Sequence, residues 1–276
     1  MSPSRQGLLL VGGGKMGSAL LEGWLDRGMP AADIVVVEPD EAQAAALRQR
    51  HEISVRTTAA EAILDGHPAV VLFAVKPQAM DAVVPGYRDL AGPETVFLSI
   101  AAGRTVDSFE AMLGTHAAIV RAMPNTPAAV RRGITVACPN GRVSDAQIRR
   151  CHELLEAVGE VAWVDDESLM DAVTAVSGSG PAYIFLMAEC LEEAGRQAGL
   201  PEELAQRLAR ATVSGAGELL ARSPEAAAVL RRNVTSPGGT TAAALEVLMA
   251  KGEAGLQELM TRAVAAATRR GKELAG

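Results

Sequence analysis

The stretch LLLVGGGKMG, from Leu8 to Gly17, decides the fold of the first half of the chain. Its apolar start, Leu8–Val11, predicts a buried strand, and residues 15–27 have the composition of a helix. Three glycines stand between these elements in a GxGxxG spacing: Gly12, Gly14 and Gly17. A strand, a glycine turn and a helix in this order predict the first part of a dinucleotide-binding fold.

Each glycine of this turn has its own physical task. The first allows a tight turn, the second lets the backbone approach a pyrophosphate, and the third lets the helix pack closely on the strand. The start of the helix offers N–H groups and the positive end of its dipole to the phosphates. Because glycines also occur in ordinary turns, the interpretation depends on the strand before the motif, the helix after it and an acid at the end of the next strand.

That acid is Glu38, which follows the second predicted strand, Ile34–Val37. A carboxylate at this place can accept hydrogen bonds from the adenosine ribose hydroxyls of NAD, and it repels the 2′-phosphate of NADP. We therefore expect a preference for NADH over NADPH. Two alternatives stay open: Glu38 is a solvated residue at a strand end, or a nearby arginine folds over the 2′-phosphate of NADP (Arg48, Arg50 or Arg56).

Short apolar runs alternate with helical segments through the first half of the chain. Further strands are predicted at 53–56, 69–75, 95–100, 119–123, 134–138 and 161–164. Strands that alternate with helices predict a mostly parallel, doubly wound sheet of the Rossmann type. We place this α/β dinucleotide-binding domain at residues 1–164.

The chain from residue 165 to residue 276 predicts an all-helical domain for substrate binding and dimerisation. Strand-like runs are absent from it, and alanine and leucine recur at helical spacing. Small residues leave apolar surface on more than one side of the helices, as at 209–217 and 263–267. A domain of about 110 residues cannot bury all of these faces alone. We therefore expect a homodimer or a larger ring of dimers.

Two polar, glycine-rich segments interrupt the helical half: SGSGPAY at 177–183 and NVTSPGGTT at 233–241. The second has the chemistry of an anion site, because backbone N–H groups of Gly239, Thr240 and Thr241 are expected to point out of a helix start. Ser236 and the two threonines add hydroxyl groups. The segment contains no lysine or arginine, which favours a small carboxylate over a phosphate ester. An elaborate helix cap explains the same residues equally well.

Composition excludes several other classes of protein. The net charge of −7, without a cationic stripe, argues against nucleic acid as a partner. The three cysteines are Cys138, Cys151 and Cys190. They lack CxxC spacing, which argues against a disulfide framework or a zinc site. Apolar runs are too short to span a bilayer, and the N-terminus enters a strand almost at once. We therefore expect a cytoplasmic protein that binds no metal and no membrane.

Six motifs together resemble those of the pyrroline-5-carboxylate reductase family. They are VGGGKMG (11–17), VKP (75–77), SIAAG (99–103), RAMPNTP (121–127), SGSGPAY and NVTSPGGTT. The resemblance spans the chain, and the last two motifs are not expected in related hydroxyacid dehydrogenases. It implies reduction of 1-pyrroline-5-carboxylate to L-proline with NADH or NADPH, the last step of proline biosynthesis. It also implies a dimer or a ring of dimers.

The resemblance also implies site residues. The cofactor side comprises Val11, Gly12, Gly13, Gly14, Lys15, Met16, Gly17, Glu38, Val75, Lys76, Pro77, Ala101 and Asn233. The substrate side comprises Glu167, Ser236, Gly239, Thr240 and Thr241, with the loop at 123–125 bordering the pocket. Four positions depart from the family. Asparagine is usual at Lys15, alanine is frequent at Gly17, members that use NADP tend to have serine at Glu38, and a polar residue is common at Met249.

The reaction requires a hydride at C5 of the ring and a proton on its nitrogen. The motifs hold no histidine–aspartate pair and no reactive cysteine. We therefore expect the hydroxyl of Thr241 to hydrogen-bond the nitrogen, with most of the acceleration coming from orientation and exclusion of water. Lys76 and Tyr183 are weaker candidates. A hydroxyacid dehydrogenase and a non-catalytic NAD-binding regulator are the alternative functions.

Overall fold

A computed structural model describes residues 7–64, 67–252 and 255–275. The strands are β1 (Leu8–Val11), β2 (Ile34–Val37), β3 (Ser54–Arg56), β4 (Val70–Phe73), β5 (Val96–Ser99), β6 (Ala118–Met123), β7 (Gly133–Pro139) and β8 (Gly159–Trp163). The first helices are α1 (Lys15–Asp26), α2 (Glu41–His51), α3 (Ala59–Leu64), α4 (Met80–Val83), α5 (Val106–Leu113) and α6 (Asp145–Glu156). They are followed by α7 (Met170–Val173), α8 (Gly180–Gln197), α9 (Glu202–Arg222), α10 (Ala227–Asn233), α11 (Thr240–Leu248) and α12 (Leu256–Ala275).

The eight strands form one sheet in the order β3-β2-β1-β4-β5-β6-β7-β8. Strands β1 to β6 all run parallel to one another. Strand β7 runs antiparallel to β6, and β8 pairs parallel with β7. Leu8 is paired with Ile34 on one side and with Val70 on the other. The predicted Rossmann-type, mostly parallel sheet is confirmed. Its parallel strands bring the loops after β1, β2, β4 and β5 to one edge.

Both faces of this sheet are covered, so the side chains on both sides of its central strands are buried. Along β1, Leu8 and Leu10 belong to one core cluster, and Leu9 and Val11 belong to the other. Continuous apolar runs are typical of strands that have two covered faces. The second core contains half of the chain's few aromatic rings: Phe73 packs against Tyr87, Phe97 and Phe109.

The first core includes Trp24, whose indole is buried and donates a hydrogen bond to the carbonyl of Leu154 over 2.8 Å. The other tryptophan, Trp163, lies half-buried at the end of β8 and donates from Nε1 to Nδ1 of His152. These two bonds satisfy the polar edges of otherwise apolar side chains. They also join α1 to α6 and α6 to β8.

The chain divides into two compact units. The nucleotide-binding unit runs to Gly178 and includes the chain from Thr268 onward, and the helical unit is Ser179–Ala267. The boundary predicted at residue 164 differs from this division for a physical reason. Met170 is fully buried with Val136 and Cys138, which ties the segment after β8 to the sheet.

The helical unit leaves much of its apolar surface uncovered within one chain. Phe185 on α8 is 62% exposed and Val247 on α11 is 73% exposed. Among the described residues of α8 to α11, only Ala205 and Ala209 are buried. Exposed apolar faces of this extent indicate an interface with another chain. None of the described helices is long and apolar enough to cross a membrane.

Candidate active site

The glycine turn between β1 and α1 is closely packed at Gly12 and Gly17 and open at Gly14. Gly12 has φ +102°, and a Cβ placed on it would lie 2.9 Å from Cγ1 of Val75. A Cβ on Gly17 would lie 2.2 Å from the carbonyl oxygen of Gly12, whereas a Cβ on Gly14 would meet no atom within 4 Å. Gly14 is also the N-cap of α1, and no side chain caps the helix. The first N–H groups of α1 therefore face open space at the place where a phosphate is expected.

Glu38 is held against this turn and is not a freely solvated residue. Its Oε2 accepts a hydrogen bond from the N–H of Gly13 over 2.9 Å, and its Oε1 accepts one from the N–H of Asp40 over 3.0 Å. Gln43 donates from Nε2 to the carbonyl of Gly13 over 2.9 Å. The end of β2, the start of α2 and the glycine turn are thus joined around one carboxylate. This arrangement favours a role for Glu38 at the adenosine ribose of the cofactor over that of a solvated residue at a strand end.

Arg48 and Arg50, which were candidates for covering a 2′-phosphate, each have a partner elsewhere. Arg48 donates from Nη2 to the carbonyl of Val55 over 3.0 Å. Arg50 forms an ion pair with Glu22 on α1, with Nη2 and Oε1 3.0 Å apart. Both side chains would have to leave these partners before they could bind a phosphate.

The loops after β4 and β5 lie side by side at the same edge of the sheet. The N–H of Ala74 donates to the carbonyl of Val11, which ties the start of the first loop to β1. Lys76 precedes a short 3₁₀ turn, Pro77–Ala79. Ala101 in the second loop is buried, and its N–H donates to Oγ of Ser99 over 3.3 Å. The residues predicted to surround the nicotinamide are therefore neighbours along one rim.

An ion pair between a buried arginine and a half-buried glutamate holds the start of α5, next to the loop after β5. Oε1 of Glu167 accepts a hydrogen bond from Nη1 of Arg121 over 2.8 Å and another from the N–H of Val106, at the start of α5, over 2.9 Å. The Arg121 side chain is only 5% exposed. Burial raises the pKa of the neighbouring Cys138 thiol, and the charge of Glu167 adds to this shift, so the thiol stays protonated at neutral pH.

Arg121 belongs to the motif RAMPNTP, but the sequence predicts no role for it. An arginine within an otherwise apolar strand was the available hint, because a buried cation needs a partner. Glu167, predicted on the substrate side, is that partner. The neighbouring loop is also fixed: Oδ1 of Asn125 accepts a hydrogen bond from the N–H of Ile134 over 3.0 Å.

In the helical unit, the segment NVTSPGGTT forms a turn that leads into α11. The N–H of Gly239 donates to the carbonyl of Ser236 over 3.0 Å, and Gly238 has φ +65°. Helix α11 begins at Thr240 with Gly239 as its N-cap, and no side chain caps it. The alternative of an elaborate side-chain cap is therefore not what the structure has. One expectation needs correction: the Gly239 N–H serves the turn, which leaves the N–H groups of Thr240 and Thr241 as donors at the helix start.

The hydroxyl-bearing residues of this segment differ in exposure. Thr241 is half-buried, while Ser236 and Thr240 are exposed. Asn233, predicted on the cofactor side, is in the helical unit at the end of α10, where its Nδ2 donates to Oε2 of Glu225 over 3.3 Å. Among the residues that the structure describes, no cluster of histidine, cysteine and acidic side chains is suitable for a metal ion.

Comparison with known proteins gives two family matches. Residues 167–274 match a family described as pyrroline-5-carboxylate reductase dimerisation. Residues 7–103 match one described as NADP oxidoreductase, coenzyme F420-dependent. The two matches correspond closely to the helical half and to the first part of the sheet.

Named relatives match over nearly the whole chain. The pyrroline-5-carboxylate reductase of Pseudomonas aeruginosa is 43% identical over 268 residues, which are 97% of this chain and 96% of that protein. The solved structure of a pyrroline-5-carboxylate reductase from Coxiella burnetii has a TM-score of 0.92 at 35% identity and covers 99% of both chains. That of the pyrroline carboxylate reductase of Plasmodium falciparum, with NADP bound, has a TM-score of 0.81 at 28% identity and also covers 99% of both chains.

The fold, the open glycine turn, the uncapped start of α11 and these matches agree with one another. The chain is an oxidoreductase with a Rossmann-type unit for a nicotinamide cofactor and a helical unit of the kind through which these enzymes self-associate. The resemblance noted in the sequence is therefore confirmed, and the chain belongs to the pyrroline-5-carboxylate reductase family.

Proposed function

We propose that this chain reduces 1-pyrroline-5-carboxylate to L-proline, the last step of proline biosynthesis, and that Thr241 orients the imine. The observation that carries the proposal is the uncapped start of α11, flanked by hydroxyl groups, in a chain that also has an open glycine turn. The first feature suits a small carboxylate, and the second suits a dinucleotide. A hydroxyacid dehydrogenase of similar architecture would need a lysine or histidine in the glycine-rich segments at 177–183 and 233–241, which contain neither.

The substrate carboxylate is expected at residues 236–241. The N–H groups of Thr240 and Thr241 lie at the positive end of the α11 dipole and can donate to its two oxygens. The hydroxyls of Ser236 and Thr240 are close in sequence and exposed, and Gly239, proposed at the same place, has no side chain that could block the ligand. Glu167 is proposed at the edge of the substrate pocket; both of its hydrogen bonds fall on Oε1.

The chemical step needs little acid–base machinery from the protein. When bound, the reduced nicotinamide supplies the hydride that C5 of the imine accepts. The hydroxyl of Thr241 donates a hydrogen bond to the ring nitrogen, which becomes the amine of proline after it takes up a proton. A threonine hydroxyl is a poor acid, so its main contribution is to hold the neutral imine in one orientation, and water supplies the proton that the nitrogen takes up. The half-buried position of Thr241 also limits access of water.

On the cofactor side, the backbone from Val11 to Gly17 is proposed to hold the pyrophosphate. An added Cβ at Gly14 would stand in open space, which is the room that a phosphate requires. Lys15 and Met16 begin α1, and the Lys15 ammonium can add a charge contact. The nicotinamide end is proposed at Val75, Lys76, Pro77 and Ala101. Asn233, at the end of α10, is also proposed as a cofactor-binding residue.

NADH is the cofactor that we expect this chain to prefer. Two backbone N–H groups fix the Glu38 carboxylate, so it cannot swing away from an incoming 2′-phosphate without losing both bonds. Two unit charges about 4 Å apart repel by roughly 4 kcal/mol at an effective dielectric near 20. The Plasmodium falciparum structure has NADP bound, so the proposed preference for NADH concerns this chain alone.

One assay separates the candidate functions. NADH oxidation is followed at 340 nm with 1-pyrroline-5-carboxylate, with a panel of 2-keto acids, and without any substrate. Oxidation with the imine alone supports the proposal. Oxidation with keto acids alone would identify a dehydrogenase of the related class. Normal NADH binding without turnover of any compound would indicate a regulator.

The cellular location and the subunit number are finer expectations. We expect activity in the cytoplasmic fraction of the source cells and a homodimer or ring of dimers in solution. Cell fractionation with an antibody to the chain and light scattering of the purified protein test these two expectations. A mass near 28.6 kDa for a fully active species would contradict the dimer.

A further inference from the structure

The two loops proposed to surround the nicotinamide are joined by a residue with no assigned role, Arg104. It follows β5, and its guanidinium reaches back to the loop after β4. Nε and Nη2 donate to the carbonyl of Pro77 over 3.1 and 2.9 Å. Nη1 and Nη2 donate to the two carboxylate oxygens of Asp81 over 2.9 and 2.5 Å. One planar group thus makes four hydrogen bonds to two acceptor groups, one in the 3₁₀ turn after β4 and one on α4.

This arrangement is more constrained than an ordinary surface ion pair. The Arg104 side chain is 21% exposed, while Asp81 is largely exposed. A bidentate arginine–carboxylate pair fixes orientation as well as distance, and the shared carbonyl of Pro77 fixes the plane of the guanidinium. The hydrogen bonds from Arg104 hold the pKa of the Asp81 carboxyl below its ordinary value, so both partners are charged at neutral pH.

The other end of the same loop is also held. Val106, two residues beyond Arg104, donates its N–H to Glu167, which the buried Arg121 supports. Ala101 lies between β5 and these two anchors. The spacing between Ala101 and Pro77 therefore depends on Arg104 on one side and on the register of β4 with β5 on the other.

We propose that Arg104 is a positioning residue for hydride transfer, because it sets the spacing of the two loops between which the nicotinamide ring lies. The inference rests on the proposed function, and it assigns no contact between Arg104 and either substrate. Positioning errors of about 1 Å at a reacting centre can cost up to about 100-fold in rate. Loss of the guanidinium is therefore expected to lower kcat by about tenfold, because the strand register still limits the displacement.

The decisive variant is Arg104→Ala, compared with Arg27→Ala. Arg27 also forms an exposed ion pair with a carboxylate, that of Glu156, between two helices of the same unit. It is the C-cap of α1, so it lies at the opposite end of this helix from the glycine turn. Arg104→Ala should lower kcat with 1-pyrroline-5-carboxylate by about tenfold, and Arg27→Ala should leave it within twofold. Arg104→Lys keeps the charge without the fork, so we expect an intermediate kcat.

A second readout needs no turnover. Calorimetry gives the affinities for NADH and for ADP-ribose, which lacks the nicotinamide. Arg104→Ala should weaken NADH binding about tenfold while ADP-ribose affinity stays within twofold. Arg27→Ala should change neither affinity.

Thermal unfolding of each variant shows whether the fold is kept. If Arg104→Ala is unfolded, Arg104→Lys carries the same comparison. Equal kcat values and equal affinity ratios for the Arg104 and Arg27 variants would overturn the inference. The two proposals can fail separately. If the wild-type chain does not turn over the imine but Arg104→Ala still lowers the ratio of the affinities for NADH and ADP-ribose, the proposed function is refuted and the positioning role remains.

Discussion

The nucleotide-binding unit and the helical unit solve the problem of apolar burial in different ways. Strands such as β1 and β4 are fully buried by helices of the same chain. Helices α8, α10 and α11 bury no residue completely within the chain, although their apolar side chains are as large. The first unit is therefore complete as a single chain, whereas the second becomes complete only when another chain covers it. The site residues that we propose follow this division only in part, because Glu167 belongs to the nucleotide-binding unit and Asn233 to the helical unit.

The largest expected effect tests the first unit. Gly14→Val should abolish NADH binding, because a branched side chain would fill the open space at the start of α1. Gly14 has φ −66° and ψ −173°, a conformation that valine adopts readily, so the fold should persist.

Gly141→Val is the matched control for this change. Gly141 is another exposed glycine of the same unit with no atom near an added Cβ. Calorimetry should find wild-type NADH affinity for it. Normal NADH binding by the Gly14 variant would reduce the motif to a plain turn.

The second expected effect tests the helical unit. Thr241→Ala should lower kcat by about one to two orders of magnitude, the range for loss of one positioned donor. NADH affinity should be unchanged, because the glycine turn belongs to the other unit. Thr261→Ala is the control, since that hydroxyl only bonds its own helix at Gln257. Steady-state kinetics with an unaltered kcat for the Thr241 variant would leave this residue as part of a helix start and nothing more.

A smaller effect is expected from Glu38→Ser. Removal of the carboxylate should shift the ratio of kcat/KM for NADH and NADPH toward NADPH by about tenfold, which corresponds to about 1.4 kcal/mol. Glu41→Ser, at the exposed start of α2, should leave the ratio unchanged. A wild-type enzyme that already prefers NADPH would contradict the charge interpretation.

The smallest expected effect tests whether the two units of one chain serve the same active site. Gly14→Val and Thr241→Ala chains, unfolded and refolded together, should regain about a quarter of wild-type activity if each site combines two chains. Half of the dimers are then mixed, and each mixed dimer has one intact site. Light scattering and mass spectrometry verify the mixed dimers. Activity no higher than the average of the two separate variants would place each site within one chain.

Local patterns predicted most of the fold. The strand β1 and the strand β2 have the predicted bounds, because uninterrupted apolar runs between a glycine turn and an acid leave few alternatives. The open turn at Gly14 was also predictable, since its cause lies within six residues. The start of α11 was predictable for the same reason, apart from the internal use of the Gly239 N–H.

Features that depend on distant partners were not predictable. Arg104 contacts Pro77 and Asp81, more than 20 residues earlier, and no local pattern marks that pairing. Arg121 and Glu167 are 46 residues apart, and their bond carries the nucleotide-binding unit beyond the predicted boundary. Periodicity reports which face of an element is buried, but it does not report which charged side chains meet across loops.

The positions of the two tryptophans have a spectroscopic consequence. The chain has no tryptophan besides Trp24 and Trp163, and both belong to the nucleotide-binding unit. Intrinsic emission excited at 295 nm therefore reports on that unit alone, and the helical unit is silent at this wavelength. Quenching by acrylamide should be weak for Trp24, which is buried, and stronger for the half-buried Trp163. A chemical denaturation followed by this emission and by far-ultraviolet circular dichroism would give two separate midpoints if the units unfold independently.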